Sequence, residues 1–277
     1  MGAWRSGEML EVPMDEALAR THEAYRAGGA VPAVPRLAAT VMLVRRPCEV
    51  FMLRRASTMA FVPEAVVFPG GSVDPRDADE RLPWTGPQPS VWAQRMGTDA
   101  QTAQLVVTAA ARELFEECGV LLAGEDSRCA LADVSGPMWA EERQCLVEHR
   151  ISLAEVLARH GLVLRTDLLG LRSHWLTPEF EPRRYDTYFF AACLPAGQMP
   201  DSCTTEANGA GWADPRQMLE RGAEGALRLV PPTAYNLAHL VSASSLDAFV
   251  QGVGRAQRIM LEPLVREGRE VLSCLLP

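Results

Sequence analysis

Glu113, Glu116 and Glu117 stand at i, i+3 and i+4 in the run Arg112-Glu113-Leu114-Phe115-Glu116-Glu117-Cys118-Gly119-Val120. On a helix this spacing brings three carboxylates to one face, within reach of a common point. Anions so crowded repel one another, and they sit near the C-terminal end of the segment, where the helix dipole already disfavours negative charge. A hard divalent cation with octahedral oxygen preference, Mg2+ or Mn2+, relieves the repulsion and keeps positions open for phosphate oxygens. Arg112, four residues before Glu116, can orient a carboxylate without competing for the metal. The same E-x-x-E-E spacing also occurs on solvated acidic faces, so by itself it leaves both readings open.

Several other chemistries are excluded. All 27 basic residues are arginine, so neither a P-loop lysine nor a Schiff-base lysine is available. With Ile only at 151 and 259 and Asn only at 208 and 236, this bias reads as a GC-rich bacterial genome. The five histidines lack H-E-x-x-H spacing, the serines lack a G-x-S-x-G elbow, and the seven cysteines form no C-x-x-C pair. The thiols read as reduced and mostly buried. A net charge of −8 gives no global positive field for a nucleic-acid backbone. No apolar run has the length of a membrane span, and the first residues carry no basic and apolar leader pattern, so no membrane partner and a cytoplasmic location are expected.

The elements that must hold these residues follow from periodicity. Residues 14–27 place Leu18, His22 and Tyr25 on one helical stripe that stops at Gly28-Gly29. Residues 37–55 read as a strand hairpin, and 65–68 as a short strand running into Pro69-Gly70-Gly71. From Ser72 to about Ala100 no period is visible, which marks a long loop or insertion whose removal, residues 76–98, is expected to alter substrate choice more than metal dependence. Residues 101–118 form the clearest helix, stopped by Gly119. Helices over 138–160, strands near 171–178 and 183–195, a helix from Pro215 and two helices after Pro231 complete an α/β pattern.

Arg112-Glu113-Leu114-Phe115-Glu116-Glu117-Cys118-Gly119-Val120 resembles the second half of the Nudix box, G-x5-E-x7-R-E-u-x-E-E-x-G-u with u aliphatic. Phe68-Pro69-Gly70-Gly71 resembles the strand-to-loop entry before it. Counting back from Arg112, the box glutamate falls on Gln104, and 32 residues, Ser72 to Ala103, replace a spacer of five, leaving 27 extra. Either the loop is held differently, or an acid of the insertion such as Asp74 or Asp99 takes the glutamate's place. A split box is similar to that of the acyl-coenzyme A diphosphatase branch, as are Trp175-Leu176-Thr177-Pro178 and residues 183–190.

The resemblance implies a Nudix-type α/β/α sandwich with a mixed sheet over residues 36–230, flanked by helical extensions at 1–35 and 231–277. It implies metal-assisted hydrolysis of a diphosphate bond in coenzyme A or an acyl-coenzyme A, giving 3′,5′-ADP and (acyl-)phosphopantetheine. Glu113, Glu116 and Glu117 would be the metal ligands with the Gly70 carbonyl, while Gly71 allows the tight turn. Arg112 would position them, and Glu206, Glu116 or Glu117 would accept the proton of the attacking water. Arg54 or Arg55 and Arg184 are expected at the substrate, since alternate strand residues face opposite ways. The expected partner is a small nucleotide-containing molecule, and a homodimer is compatible with the sequence. Hydrolysis of ADP-ribose or NADH, and a non-catalytic Nudix-fold binding module, are the competing readings.

Overall fold

The computed structural model describes residues 4, 6–29, 31–55, 64–201 and 207–277. In chain order the elements are β1 (Met9–Pro13), α1 (Glu16–Gly28), β2 (Arg36–Arg45), β3 (Glu49–Arg55), β4 (Val66–Val67), β5 (Gly70–Ser72), β6 (Trp84–Thr85), α2 (Pro89–Met96) and α3 (Ala100–Cys118). There follow β7 (Ala123–Gly124), α4 (Pro137–Val147), α5 (Leu153–Arg159), β8 (Val163–Arg165), β9 (Gly170–Leu176), β10 (Tyr185–Cys193), β11 (Ala207–Ala213) and α6 (Pro215–Ala223). The last elements are α7 (Pro231–Ser242), α8 (Leu246–Gln251), β12 (Arg258–Met260), β13 (Glu262–Arg266) and β14 (Arg269–Leu275).

A mixed sheet in the order β11-β3-β2-β10-β9-β12 organises the molecule, with β10 parallel to β2 and antiparallel to β9. Side chains alternate across it. Ala39, Val41, Leu43, Tyr188 and Phe190 pack on one face against α2 and α3, while Met42, Val44, Phe189 and Ala191 pack on the other against α6, α7 and α8. Two helical layers around a sheet give the α/β/α architecture.

Helix α3 starts where Asp99 accepts the Thr102 N–H and ends where Gly119 turns left-handed at φ 68°. Its apolar side, including Val106, Ala110 and Leu114, is fully enclosed against the sheet, which fixes the direction in which its last turn projects.

Two features differ from the sequence expectation. The stretch 72–100 is not an open loop: it holds a 3₁₀ turn at Pro75–Ala78, β6 and α2, and Trp92 of α2 is 0% exposed against Phe190. Deleting residues 76–98 would strip that indole from the core, and loss of a large core aromatic alone costs about 3–5 kcal/mol. The expected outcome of the deletion is therefore loss of the cooperative thermal transition followed by circular dichroism, rather than a changed substrate profile. The C-terminal segment is likewise not purely helical. After α8 it becomes strand: β12 joins the main sheet beside β9, and β14 pairs antiparallel with β1 and with β13 in a separate three-stranded sheet. The N-terminal segment contributes β1 to that sheet as well as α1. These strands are short and their partners distant in sequence, so local periodicity does not reveal them.

Candidate active site

The site forms where β2 and β3 part. Among the described residues the two strands pair at Val44 with Val50 and at Arg45 with Glu49. Beyond that point they diverge, and the Phe68-Pro69-Gly70-Gly71 segment wedges between them: β4 pairs with β3, and β5 pairs with β2 so that Gly70 lies opposite Thr40. The wedge carries bare backbone to the last turn of α3. The Gly70 N–H donates to Glu117 Oε2 at 2.7 Å. A Cβ on Gly71 would lie 2.5 Å from Glu113 Oε1, so any side chain there would displace that carboxylate.

Arg112 is the hub of the cluster. Its Nε and Nη2 donate to the two oxygens of Asp77 at 2.8 and 3.0 Å, its Nη1 to Glu113 Oε1 at 2.8 Å and Glu116 Oε2 at 3.0 Å, and its Nη2 also to the Ser72 carbonyl at 2.9 Å. The Arg112 and Asp77 side chains are only 7% and 1% exposed, so the two-point pair is held out of water, where such bonds are strongest. Burial pushes the Glu113 carboxyl up to about 7 despite the neighbouring guanidinium, and it raises Glu116 and Asp77 in the same direction. These acids hold their protons more tightly than usual until further positive charge balances them. Glu116 Oε1 is buried without a hydrogen-bond partner among the described residues. Among those residues no three acids, imidazoles or thiols are gathered round one point as metal ligands; Arg112 draws one oxygen each from Glu113 and Glu116.

Asp77 takes the place sought for the box glutamate, which corrects both candidates named from the sequence. Asp99 caps α3, and Asp74 caps the 3₁₀ turn while hydrogen bonds from Arg76 hold its carboxyl down at about 2. Gln104 donates weakly to the Asp79 carbonyl at 3.4 Å, and eight residues of helix, about 12 Å, separate it from Arg112. A signal for Asp77 was present. Counting forward six from Gly71, as the G-x5-E spacing requires, lands on Asp77. The extra residues therefore fall after this acid and not before it.

A cavity of about 1210 Å³ opens beside the cluster, and Gly70, Gly71, Arg112, Glu113, Glu116 and Glu117 all line it. Arg55 lines it too, whereas Arg54 is exposed and outside the lining, as strand alternation requires. Arg184, expected at the substrate, is elsewhere: it is buried and donates to the carbonyls of Thr177 and Ala33. It is a structural cation between β10 and the N-terminal segment. Glu206 lies outside the described residues. Arg143 and Arg228, which carry no motif, also line the cavity. Arg143 donates to the Glu116 carbonyl at 2.7 Å and to Asp201 at 2.8 Å, placing positive charge at the C-terminal end of α3 where the dipole favours it.

A family profile described as the NUDT19 Nudix domain matches residues 88–240. The chain is 29% identical over 240 residues to acyl-coenzyme A diphosphatase NUDT19 of Gallus gallus, covering 73% of this chain and 64% of that protein. It is 30% identical over 251 residues to the protein of the same name from Homo sapiens, covering 74% of this chain and 65% of that one. The chain thus spans just under two thirds of the length of these two relatives. Its fold superposes on the crystal structure of a NUDIX hydrolase from Alicyclobacillus acidocaldarius with a TM-score of 0.66 and 29% identity, covering 79% of this chain and 96% of that one.

Proposed function

The chain belongs to the NUDT19 Nudix domain family and is a Nudix hydrolase, and from that premise we propose that it cleaves the diphosphate bond of coenzyme A or an acyl-coenzyme A with Mg2+ or Mn2+. The products are 3′,5′-ADP and (acyl-)phosphopantetheine. The observation that carries this reading is the Asp77–Arg112–Glu113/Glu116 cluster, locked beside the Gly70–Glu117 contact at the wall of a cavity large enough for a nucleotide derivative. A binding module has no use for carboxylates pressed together at the cost of raised pKa values. The relatives named for acyl-coenzyme A hydrolysis support the choice of substrate.

The donor set fits a hard divalent cation: its groups are all oxygen, and one buried oxygen, Glu116 Oε1, has no hydrogen-bond partner among the described residues. Glu113, Glu116 and Glu117, with the Gly70 carbonyl, would hold the ion. When bound, the ion neutralises phosphate oxygens and lowers the pKa of the attacking water. Arg112 keeps Glu113 and Glu116 aimed at the cavity, and Asp77 keeps Arg112 in place. Arg55 supplies positive charge for the substrate phosphates, with Arg228 beside it. Water attacks one phosphorus, the bridging P–O bond breaks, and the water's proton passes to a carboxylate. Glu206 is the acceptor suggested by sequence, with Glu116 or Glu117 on α3 as the alternatives.

Product analysis tests this directly. With Mg2+ or Mn2+ the protein is expected to release 3′,5′-ADP from coenzyme A, acetyl-coenzyme A and longer acyl-coenzyme A. Hydrolysis confined to ADP-ribose or NADH would keep the chemistry and discard the substrate. No turnover with either metal would discard catalysis.

A further inference from the structure

We propose that the β1–β14 pair, built from opposite ends of the chain, walls an apolar chamber of the substrate site that receives an aliphatic acyl group. The inference rests on the acyl-coenzyme A reading above and names what distinguishes one substrate from another within it.

The cavity of about 1210 Å³ exceeds the roughly 300–1,000 Å³ of ordinary small-molecule sites, and its two ends differ in chemistry. The floor crosses the main sheet, from Arg55 on β3, over Thr40 on β2, to Phe189 on β10 and Trp175 on β9. The β3 side is cationic. The Arg55 N–H donates to the Ala65 carbonyl and the Val66 N–H to the Arg228 carbonyl, so both arginines flank the same short segment. The β9 side carries the large apolar side chains of the lining. Phe189 and Trp175 form its floor there, and Val12 of β1 and Leu272 of β14, directly opposite each other in register, also line it. Leu18 of α1 completes this wall.

Charge fixes the orientation of a substrate that spans both ends. Asp15 and Glu181 also line the cavity, and burial, then the charge of Asp15, raises the pKa of Glu181. Of the two sides, the one with Asp15 and Glu181 nearby repels a polyanion, so phosphates belong with Arg55 and Arg228. What remains for the Val12–Leu272 wall is the uncharged tail. A free diphosphate nucleotide would leave Val12 and Leu18 half-exposed in front of the already buried Trp175, Phe189 and Leu272, whereas an acyl chain covers them, and each methylene that enters strengthens binding about fourfold.

Val12 is the position to test, because it is only half-buried and its neighbours need not repack. In the full-length protein with Mg2+, Val12→Trp is expected to lower kcat/KM for octanoyl-coenzyme A by at least about tenfold, equivalent to excluding two methylenes, while leaving coenzyme A unchanged. Val12→Ala is expected to shift the optimum to longer chains, and it decides the matter should the tryptophan variant not fold. Calorimetry with octanoyl-pantetheine and pantetheine, neither of which contains a diphosphate, gives a readout independent of turnover. Wild type is expected to bind the octanoyl compound more tightly, and Val12→Trp to erase the difference. If coenzyme A is cleaved but chain length has no effect in any variant, the chamber is overturned and the function stands. If no coenzyme A compound is cleaved but the octanoyl preference exists and Val12→Trp removes it, the function falls and the chamber stands. Equal binding of both pantetheines by wild type overturns the chamber in either case.

Discussion

Glu117→Gln is expected to reduce kcat by about 10³-fold, roughly 4 kcal/mol of transition-state stabilisation, with little change in thermal stability. The substitution is nearly isosteric, and the amide oxygen still accepts the Gly70 N–H that Glu117 Oε2 accepts at 2.7 Å. The wedge between β2 and β3 therefore keeps its anchor. What disappears is a negative charge beside Glu113, a carboxyl already pushed up to about 7 by burial. Relief of crowding makes the folded state no less stable, while the cation that Glu117 would hold loses a charged ligand. Steady-state hydrolysis over a Mn2+ titration, with a melting curve of the same sample, separates the two effects. Turnover near that of wild type would remove Glu117 from the site.

Asp77→Asn acts through a different route and costs stability first. It removes the charge that pairs at two points with a guanidinium 7% exposed. Breaking a buried pair by changing one partner costs about 3–5 kcal/mol. Arg112 retains Glu113 and Glu116, which favours the lower end, and about 3 kcal/mol corresponds to a fall in Tm of roughly 6–12 °C. Activity is expected to fall about 10–100-fold, the usual effect of disturbing a group that orients metal ligands. Asp77→Glu is expected to recover most of it, since glutamate is the residue of the resembled pattern. Adding Gln104→Glu to Asp77→Asn is expected to recover none, because position 104 is two turns of α3 away from Arg112. Rescue from position 104 would show that the box is read from Arg112 backward after all.

That contrast shows what the sequence could carry. Helix α3 was readable because its apolar period runs over 19 residues between a capping Asp99 and a left-handed Gly119. The carboxylate cluster was readable because i, i+3, i+4 spacing is local geometry. Asp77 was missed because the count ran across the insertion from the far side, although the spacing from Gly71 is intact. Helix α2 was missed because eight residues give barely two turns of period, and what stabilises it is Trp92 against the sheet. Arg54 and Arg55 were separable by strand alternation. Arg183 and Arg184 precede β10 in irregular chain, where no period indicates that Arg184 turns inward to backbone carbonyls. Strand β14 was illegible because its partner β1 lies at the other end of the chain, and such pairing is decided by the tertiary fold rather than by neighbours in sequence.

The pairing of β1 with β14 also sets an order of events during synthesis. The acids of the hydrolytic cluster are all made once residue 117 is added, but the wall that faces Val12 waits for Leu272. At about 5–20 residues per second the interval is roughly 8–31 s, and the closure must then join segments some 260 residues apart, the costliest kind of loop to shut. A nascent chain thus carries its carboxylates well before strand β1 can find its partner. A stop codon before position 269 would leave a protein with every acid of the box in place and strand β1 without its partner.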